Sequence, residues 1–468
     1  MALATRADRN HRGEPPRRST AVPGSPRFNA LVGFVAVAVY LVLLALAMDR
    51  LSFDVWGAMV IGPFLLGITV PLLLWASRRE ADPWMARLLI WAFVAKMVGT
   101  LLRYAITFEV YGGRADAGGY HGSGGRLAAA FWDGRWDQVY PTEVPTLVGT
   151  EFMRLATGIV YIVTGPTKLG GFLIFSWLGF WGLYWFYRAF RVGFPEGDHR
   201  RYAVLLFFLP SLLYWPSSIG KEAWMLFTLG LAAYGVALLL RYRGRGYVAL
   251  IAGLAGTALV RPHVTLLVFV AFFIAYLLRR RSWRESNSGL LGRIAGIAVL
   301  VLVGGIVLAQ VASFFNLPDV DREGVEQALD RTEDQSSKGG SQFSVARPKS
   351  PAEYPEAVVT VLFRPFPWEA GNAQALVAAA EGALLLLAFV MSLPRLARLP
   401  SYVVSTPYVA FVTAYTLMFV FAFSSVGNFG IITRQRTQVF PMVLVLLALP
   451  LAEKVSRGRV RASEMLSP

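Results

Sequence analysis

MARLLIWAFVAKMVGTLLRYAI (85–106) runs directly into TFEVYGGRADAGGYH (107–121). The first piece is long and apolar enough to cross a hydrocarbon core of about 30 Å as a single helix. The second turns polar at once and opens a glycine- and aromatic-rich segment that lasts to about residue 169. Comparable apolar runs recur on either side, at about 29–48, 56–76, 170–190, 202–214, 222–240, 247–260, 264–278, 292–314, 373–394, 403–423 and 437–453. This pattern predicts an all-α, polytopic transmembrane bundle of about twelve spans. A β-barrel would need short alternating segments instead.

Composition agrees. Of 468 residues, 55% are hydrophobic and only 16% charged, against about 25% in an ordinary soluble domain. The mean hydropathy is +0.51. The net charge of +16 does not imply nucleic acid as a partner, because the basic residues are scattered over short loops rather than gathered on one stripe. The chain has no cysteine, which excludes disulfides, thiolate metal sites and cysteine nucleophiles.

The scatter of basic residues also orients the chain. SRREADP (77–83), YRAFRVGFPEGDHRR (187–201), RYRGRGY (241–247), RRRSWRESNSGLLGR (279–293) and RLARLPS (395–401) are all arginine-rich. Under the positive-inside rule they face the cytoplasm, with both termini. The expected division is a disordered basic tail (1–27), a membrane domain (28–455) and a second basic tail (456–468). Two long segments, about 107–169 and 315–372, then fall outside the plasma membrane.

Five polar clusters share that outer edge. Asp116, Tyr120 and His121 follow the third span on a flexible, glycine-flanked loop. Lys221 and Glu222 lie in PSLLYWPSSIGKEAW (210–224), and Arg261 and His263 flank a proline at a tight turn. Arg364 and Glu369 bracket PFPW, and Arg434 and Arg436 lie in NFGIITRQRTQVFP (428–441). Taken singly, each has a plain reading as interfacial anchor, local ion pair or loop carboxylate. Taken together, cations from several loops on one face suit a phosphate or pyrophosphate, and a nearby carboxylate suits a general base toward a hydroxyl. Within the spans, Lys96 is expected to pair with Glu381 or with a backbone carbonyl; Arg103 lies two turns from Lys96 on the same face.

A third-span exit into an outer loop bearing an acidic residue, the P-S-x-x-x-W-x-x-x-x-x-K-E segment from Pro210, and R-x-R-x-x-x-x-P from Arg434 to Pro441 together resemble lipid-linked sugar transferases of the GT-C fold. They also resemble O-antigen polymerase-type proteins. The resemblance implies a polyprenyl-phosphate-linked sugar donor, a glycan or glycolipid acceptor, membrane lipid around the chain, and work in envelope or exopolysaccharide assembly. It places the catalytic base at Asp116, with Asp133, Asp137 and Glu369 as alternatives. It makes Tyr120, His121, Lys221, Glu222, Arg261, His263, Arg364, Glu369, Arg434 and Arg436 the substrate-binding set. The family usually carries this loop after the first span, whereas here it follows the third. Members differ in their use of a divalent cation, so the cofactor stays open; the four histidines (11, 121, 199 and 263) form no metal-binding spacing. A lipid or polysaccharide transporter is the alternative from another class, and it would show interrupted helices near the midplane.

Overall fold

The computed structural model describes residues 26–78, 80, 82, 84–139, 147–279, 288–315, 321–337, 341–345 and 347–451. The two basic tails lie almost wholly outside the described residues. Everything described is helix or connection, and the single β-type pairing is an isolated antiparallel bridge between Gln342 and Asn428.

The chain opens with α1 (Pro26–Arg50), α2 (Phe53–Ser77) and α3 (Trp84–Ala105), which ends in a π-helical turn, Ile106–Val110. The outer segment, in which only the patterned stretch Glu151–Val163 is expected as an interfacial helix, is largely helical: α4 (Asp116–Trp132), α5 (Trp136–Val139) and, at the expected place, α6 (Thr150–Thr164). Then come α7 (Lys168–Gly193), α8 (His199–Phe208), α9 (Pro210–Tyr214), α10 (Lys221–Leu240), α11 (Gly246–Ala258), α12 (Pro262–Leu278) and α13 (Ser288–Phe315). The acidic stretch holds α14 (Arg322–Ser336), and the return to the bundle uses α15 (Tyr354–Phe363) and α16 (Ala373–Val390). The chain ends with α17 (Leu393–Leu396), α18 (Leu399–Ser405), α19 (Pro407–Phe423), α20 (Phe429–Gln435) and α21 (Phe440–Leu447).

Six of the described helices are long and apolar enough to cross a membrane, and a seventh span results if α18 and α19, bent by 119°, count as one. α1 leaves nearly all its apolar side chains on the surface, with Phe34 72% exposed, as a helix bathed in lipid can. The core forms instead around α7 and α10, whose buried faces include Phe180, Phe186, Phe190, Leu226, Leu229 and Val236.

Small residues bring those two helices together. A Cβ on Gly182 would collide with the Leu226 carbonyl, and one on Gly230 with the backbone of Gly182. Without a hydrophobic drive between helices in lipid, backbone-to-backbone approach of this kind is what holds them. The same device explains why GGYHGSGGR folds as helix. Gly124 would place a Cβ 2.7 Å from Thr157, and Gly158 would place one 2.5 Å from Leu127, so α4 and α6 pack at glycine range.

Pro210 splits the run expected over 202–214. Leu209 adopts an extended conformation (ψ 122°), as a residue before proline prefers. The interruption is satisfied from outside: the Ser211 N–H and hydroxyl both donate to the Glu381 carboxylate, the former at 2.7 Å. Lys96 Nζ donates to the Leu212 carbonyl at 2.8 Å. Of its two expected partners, Lys96 therefore takes the backbone carbonyl.

Overpacking the α7–α10 contact should cost about 1–3 kcal/mol. Gly230→Val is expected to lower the melting temperature of the detergent-solubilised protein. Gly67→Ala, where a Cβ meets nothing within 4 Å and alanine has the better helix propensity, should not lower it.

Candidate functional site

Four helices begin at one place. α4 starts with Asp116, α6 with Thr150, α10 with Lys221 and α12 with Pro262, and none of the four has a side chain capping its first turn. Their N-cap positions are Ala115, Gly149, Gly220 and Arg261. An uncapped start carries roughly half a positive charge, although α12 opens on Pro262, which has no N–H, and the Glu222 carboxylate accepts its own N–H in the first turn of α10. A short chain of contacts shows that they meet. Lys221 Nζ donates to Thr150 Oγ1 at 3.0 Å, Gly149 N donates to the Leu259 carbonyl at 2.8 Å, and Arg261 and Glu222 form an ion pair at 3.4 Å.

Glu222 is the hub. Its side chain is 8% exposed and lies 3.4 Å from Arg261 Nη2 and 3.3 Å from Arg434 Nε. Arg434 reaches on to Asp116, donating from Nη1 to Oδ2 at 2.9 Å. Asp116 stands at the rim, 62% exposed, while Arg261 is 9% exposed. Arg261 Nη1 is buried without a hydrogen-bond acceptor, and Arg434 Nε contacts Glu222 as an ion pair without an aligned hydrogen bond. The arrangement resembles the start of an anion site: fixed donors, uncapped helix ends, and cations in excess of carboxylates.

Tyr120 lies one turn after Asp116 and is 4% exposed. Burial, with the neighbouring Asp116 charge, pushes its phenol up to about 12, so it faces the cluster as a neutral hydroxyl. His121, one position on, points the other way. Its Nδ1 meets the Tyr161 hydroxyl at 2.8 Å, and burial lowers its basicity, so it stays neutral beside the Lys168–Asp54 ion pair.

Thus Asp116, Tyr120, Lys221, Glu222, Arg261 and Arg434 come together, and the other expected residues do not join them directly. Arg364 is committed to Glu369 through Nε at 3.0 Å and Nη2 at 2.5 Å, and its guanidinium lies 4.7 Å from the Phe343 ring centroid. Burial alone would raise the Glu369 carboxyl, but the Arg364 and Phe366 N–H donors hold it below the usual range. Arg436, 3% exposed, donates to the Leu362 carbonyl at 3.1 Å. His263 sits among Phe314, Phe315 and Phe423, its Nδ1 without a partner. Of the alternative bases, Asp133 pairs with Arg135 at 2.7 Å past the far end of α4, about 25 Å of helix from Asp116. Asp137 follows it in α5.

Two contributors had no place in the sequence-derived set. Thr150 arrives because α6 starts beside Lys221. Arg103, at the end of α3, donates to the Tyr214 hydroxyl at 2.9 Å, stacks 4.9 Å from Trp215, and acts on Glu222 through its charge. Its position at the exit of the third span was the available signal. Asp116 belongs to the first turn of a helix and not to a flexible loop, because α4 packs on α6 through the glycines described above. Among the described residues no group of acidic and histidine side chains is arranged to hold a metal ion.

The chain matches no known protein family, no curated protein and no solved structure.

Removing the Glu222 carboxylate leaves two guanidiniums facing each other in a closed space. Glu222→Ala should cost about 3–5 kcal/mol, the range for breaking a buried ion pair. Asp116→Asn, at an exposed pair worth about 1 kcal/mol or less, should leave the melting temperature within error. Thermal unfolding in detergent compares the two.

Proposed function

We propose that the chain is a membrane glycosyltransferase of the GT-C type, moving a sugar from a polyprenyl-phosphate carrier to a glycan or glycolipid on the extracytoplasmic face. About twelve spans, cytoplasmic termini and two long outer segments complete that reading. Placing the site outside is supported by α10: Lys221 begins it and the arginine-rich 241–245 segment follows its other end, about 30 Å away.

The observation that carries the proposal is the meeting of four uncapped helix N-termini with Lys221, Arg261 and Arg434. Transfer breaks the bond between the anomeric carbon and the phosphate oxygen, and the bonding electrons leave on the phosphate. Donors already fixed where that charge develops lower the barrier most. Asp116 would accept the proton of the acceptor hydroxyl, which attacks the anomeric carbon from the opposite side with inversion. As the structure stands, Arg434 occupies Asp116. A phosphate that recruits Arg434 would release the carboxylate, so the base becomes free when the donor is bound.

The ion pair also bears on a polymerase or ligase, a related reading in which the arginines and His263 act without a carboxylate base. A second class, translocation of a lipid-linked glycan, is favoured by the interruption at Leu209–Pro210 and the bend between α18 and α19. Against it, Lys96 and Glu381 are both bonded to the interrupted helix itself.

The test is product formation in membranes supplied with a radiolabelled polyprenyl-phosphate sugar. Arg261→Gln and Arg434→Gln should each reduce transfer by about 100-fold or more, the scale for losing a fixed donor to developing charge. Asp116→Asn should do the same if a carboxylate base is used, and should be silent in a base-independent polymerase. Undiminished product in all three variants, or label that crosses the bilayer with its sugar–phosphate bond intact, would sink the transferase reading.

A further inference from the structure

Far from this site, α2, α7 and α10 enclose a second feature. A groove of about 510 Å³ is lined by Ile68, Leu72, Trp75, Trp177, Trp181 and Trp185, with Tyr234 and Arg188 among its other walls. That volume lies within the roughly 300–1,000 Å³ of ligand pockets. Leu72 and Trp75 are 42% and 53% exposed, so the groove opens sideways from the bundle, toward where lipid would lie. None of the residues of the candidate site lines it.

Two polar features say what fills it. Trp177 spends its indole N–H on Thr69, at 2.8 Å, but the Trp181 Nε1 is buried with no acceptor. At the groove's end, Arg188 Nη1 and Arg191 Nη2 sit 2.9 and 2.8 Å from the two oxygens of one carboxylate, Glu80. Two guanidiniums share this one carboxylate, with Asp82 the next acid near them, and both arginine side chains are 24% exposed. Arg188 lies twenty residues along α7 from Lys168, about 30 Å, which sets it at the end of the bundle opposite the candidate site. An apolar slot that ends at a partly exposed guanidinium, Arg188, matches a hydrocarbon chain ending in an anion.

We propose that this groove is a binding site for one anionic phospholipid, with an acyl chain along the tryptophans and its phosphate at Arg188 and Arg191. Such a lipid would lie between α2 and the α7–α10 pair, adding to the Trp177–Thr69 and Trp185–Tyr234 contacts already there. The site is independent of the glycosyltransferase reading and holds or fails by itself.

Native mass spectrometry of the full-length protein, titrated with dioleoylphosphatidylglycerol or dioleoylphosphatidylcholine, tests it. One phosphatidylglycerol should stay bound, and phosphatidylcholine should bind about tenfold more weakly, a difference of about 1.4 kcal/mol. Leu72→Trp fills the groove from its open side without touching the Glu80 pairs, and Arg188→Gln removes the cation. Each should cut phosphatidylglycerol binding by about tenfold. Equal binding of the two lipids, or wild-type phosphatidylglycerol binding by Leu72→Trp, overturns the proposal.

Discussion

A single carboxylate held between two guanidiniums organises the upper part of this molecule. Glu222 would not be stable at 8% side-chain exposure without Arg261 on one side and Arg434 on the other. The reverse also holds, since Arg261 is equally enclosed. Each of the three belongs to a different part of the chain: the start of α10, the turn before α12 and the end of α20. The ion triplet therefore pins together segments more than 170 residues apart, and it does so with donors left over.

The helix starts follow from the same constraint. Ser, Thr, Asp or Asn at an N-cap would satisfy the first-turn N–H groups and cancel part of their field. Elsewhere the chain does cap in this way: Thr167 accepts from Gly170, Asp198 from Arg201, Asn372 from Ala375 and Asn428 from Gly430. At the site the corresponding positions are Ala115, Gly149, Gly220 and Arg261. Uncapped starts also occur away from it, at α2, α11 and α19, so what distinguishes this place is that four of them meet. The far end carries Arg188 and Arg191, set beside hydrocarbon-lined space. The two ends thus hold their arginines in different surroundings, one among polar helix starts and the other against tryptophan.

Glycine plays two parts that composition alone confuses. In RADAGGYHGSGG the glycines suggest a loop, because intrinsic helix propensity is poor there. In the folded chain they are contact positions, where α4 and α6 approach more closely than any larger side chain would allow. The same applies to α7 and α10. The helical pattern over Glu151–Val163 is legible in the sequence and matches α6, whereas the loop expected around Asp116–His121 is helix, because propensity is a local property and the compensating contact is with a helix more than twenty residues away.

Apolar run length, the arginine-rich loops and the polar clusters between them are written in the order of residues, because crossing hydrocarbon and anchoring at its edge depend only on local composition. The all-helical class and the membership of Asp116, Tyr120, Lys221, Glu222, Arg261 and Arg434 in one site could be read that way. Tertiary structure alone decided that Arg364 turns to Glu369, that His121 turns to Tyr161, that Arg103 joins the site, and that Glu381 accepts the donors freed at the Pro210 break. The physical reason is competition for partners. A charged side chain removed from water takes the nearest counter-charge or carbonyl that packing delivers, and distances along a sequence do not say which one that will be.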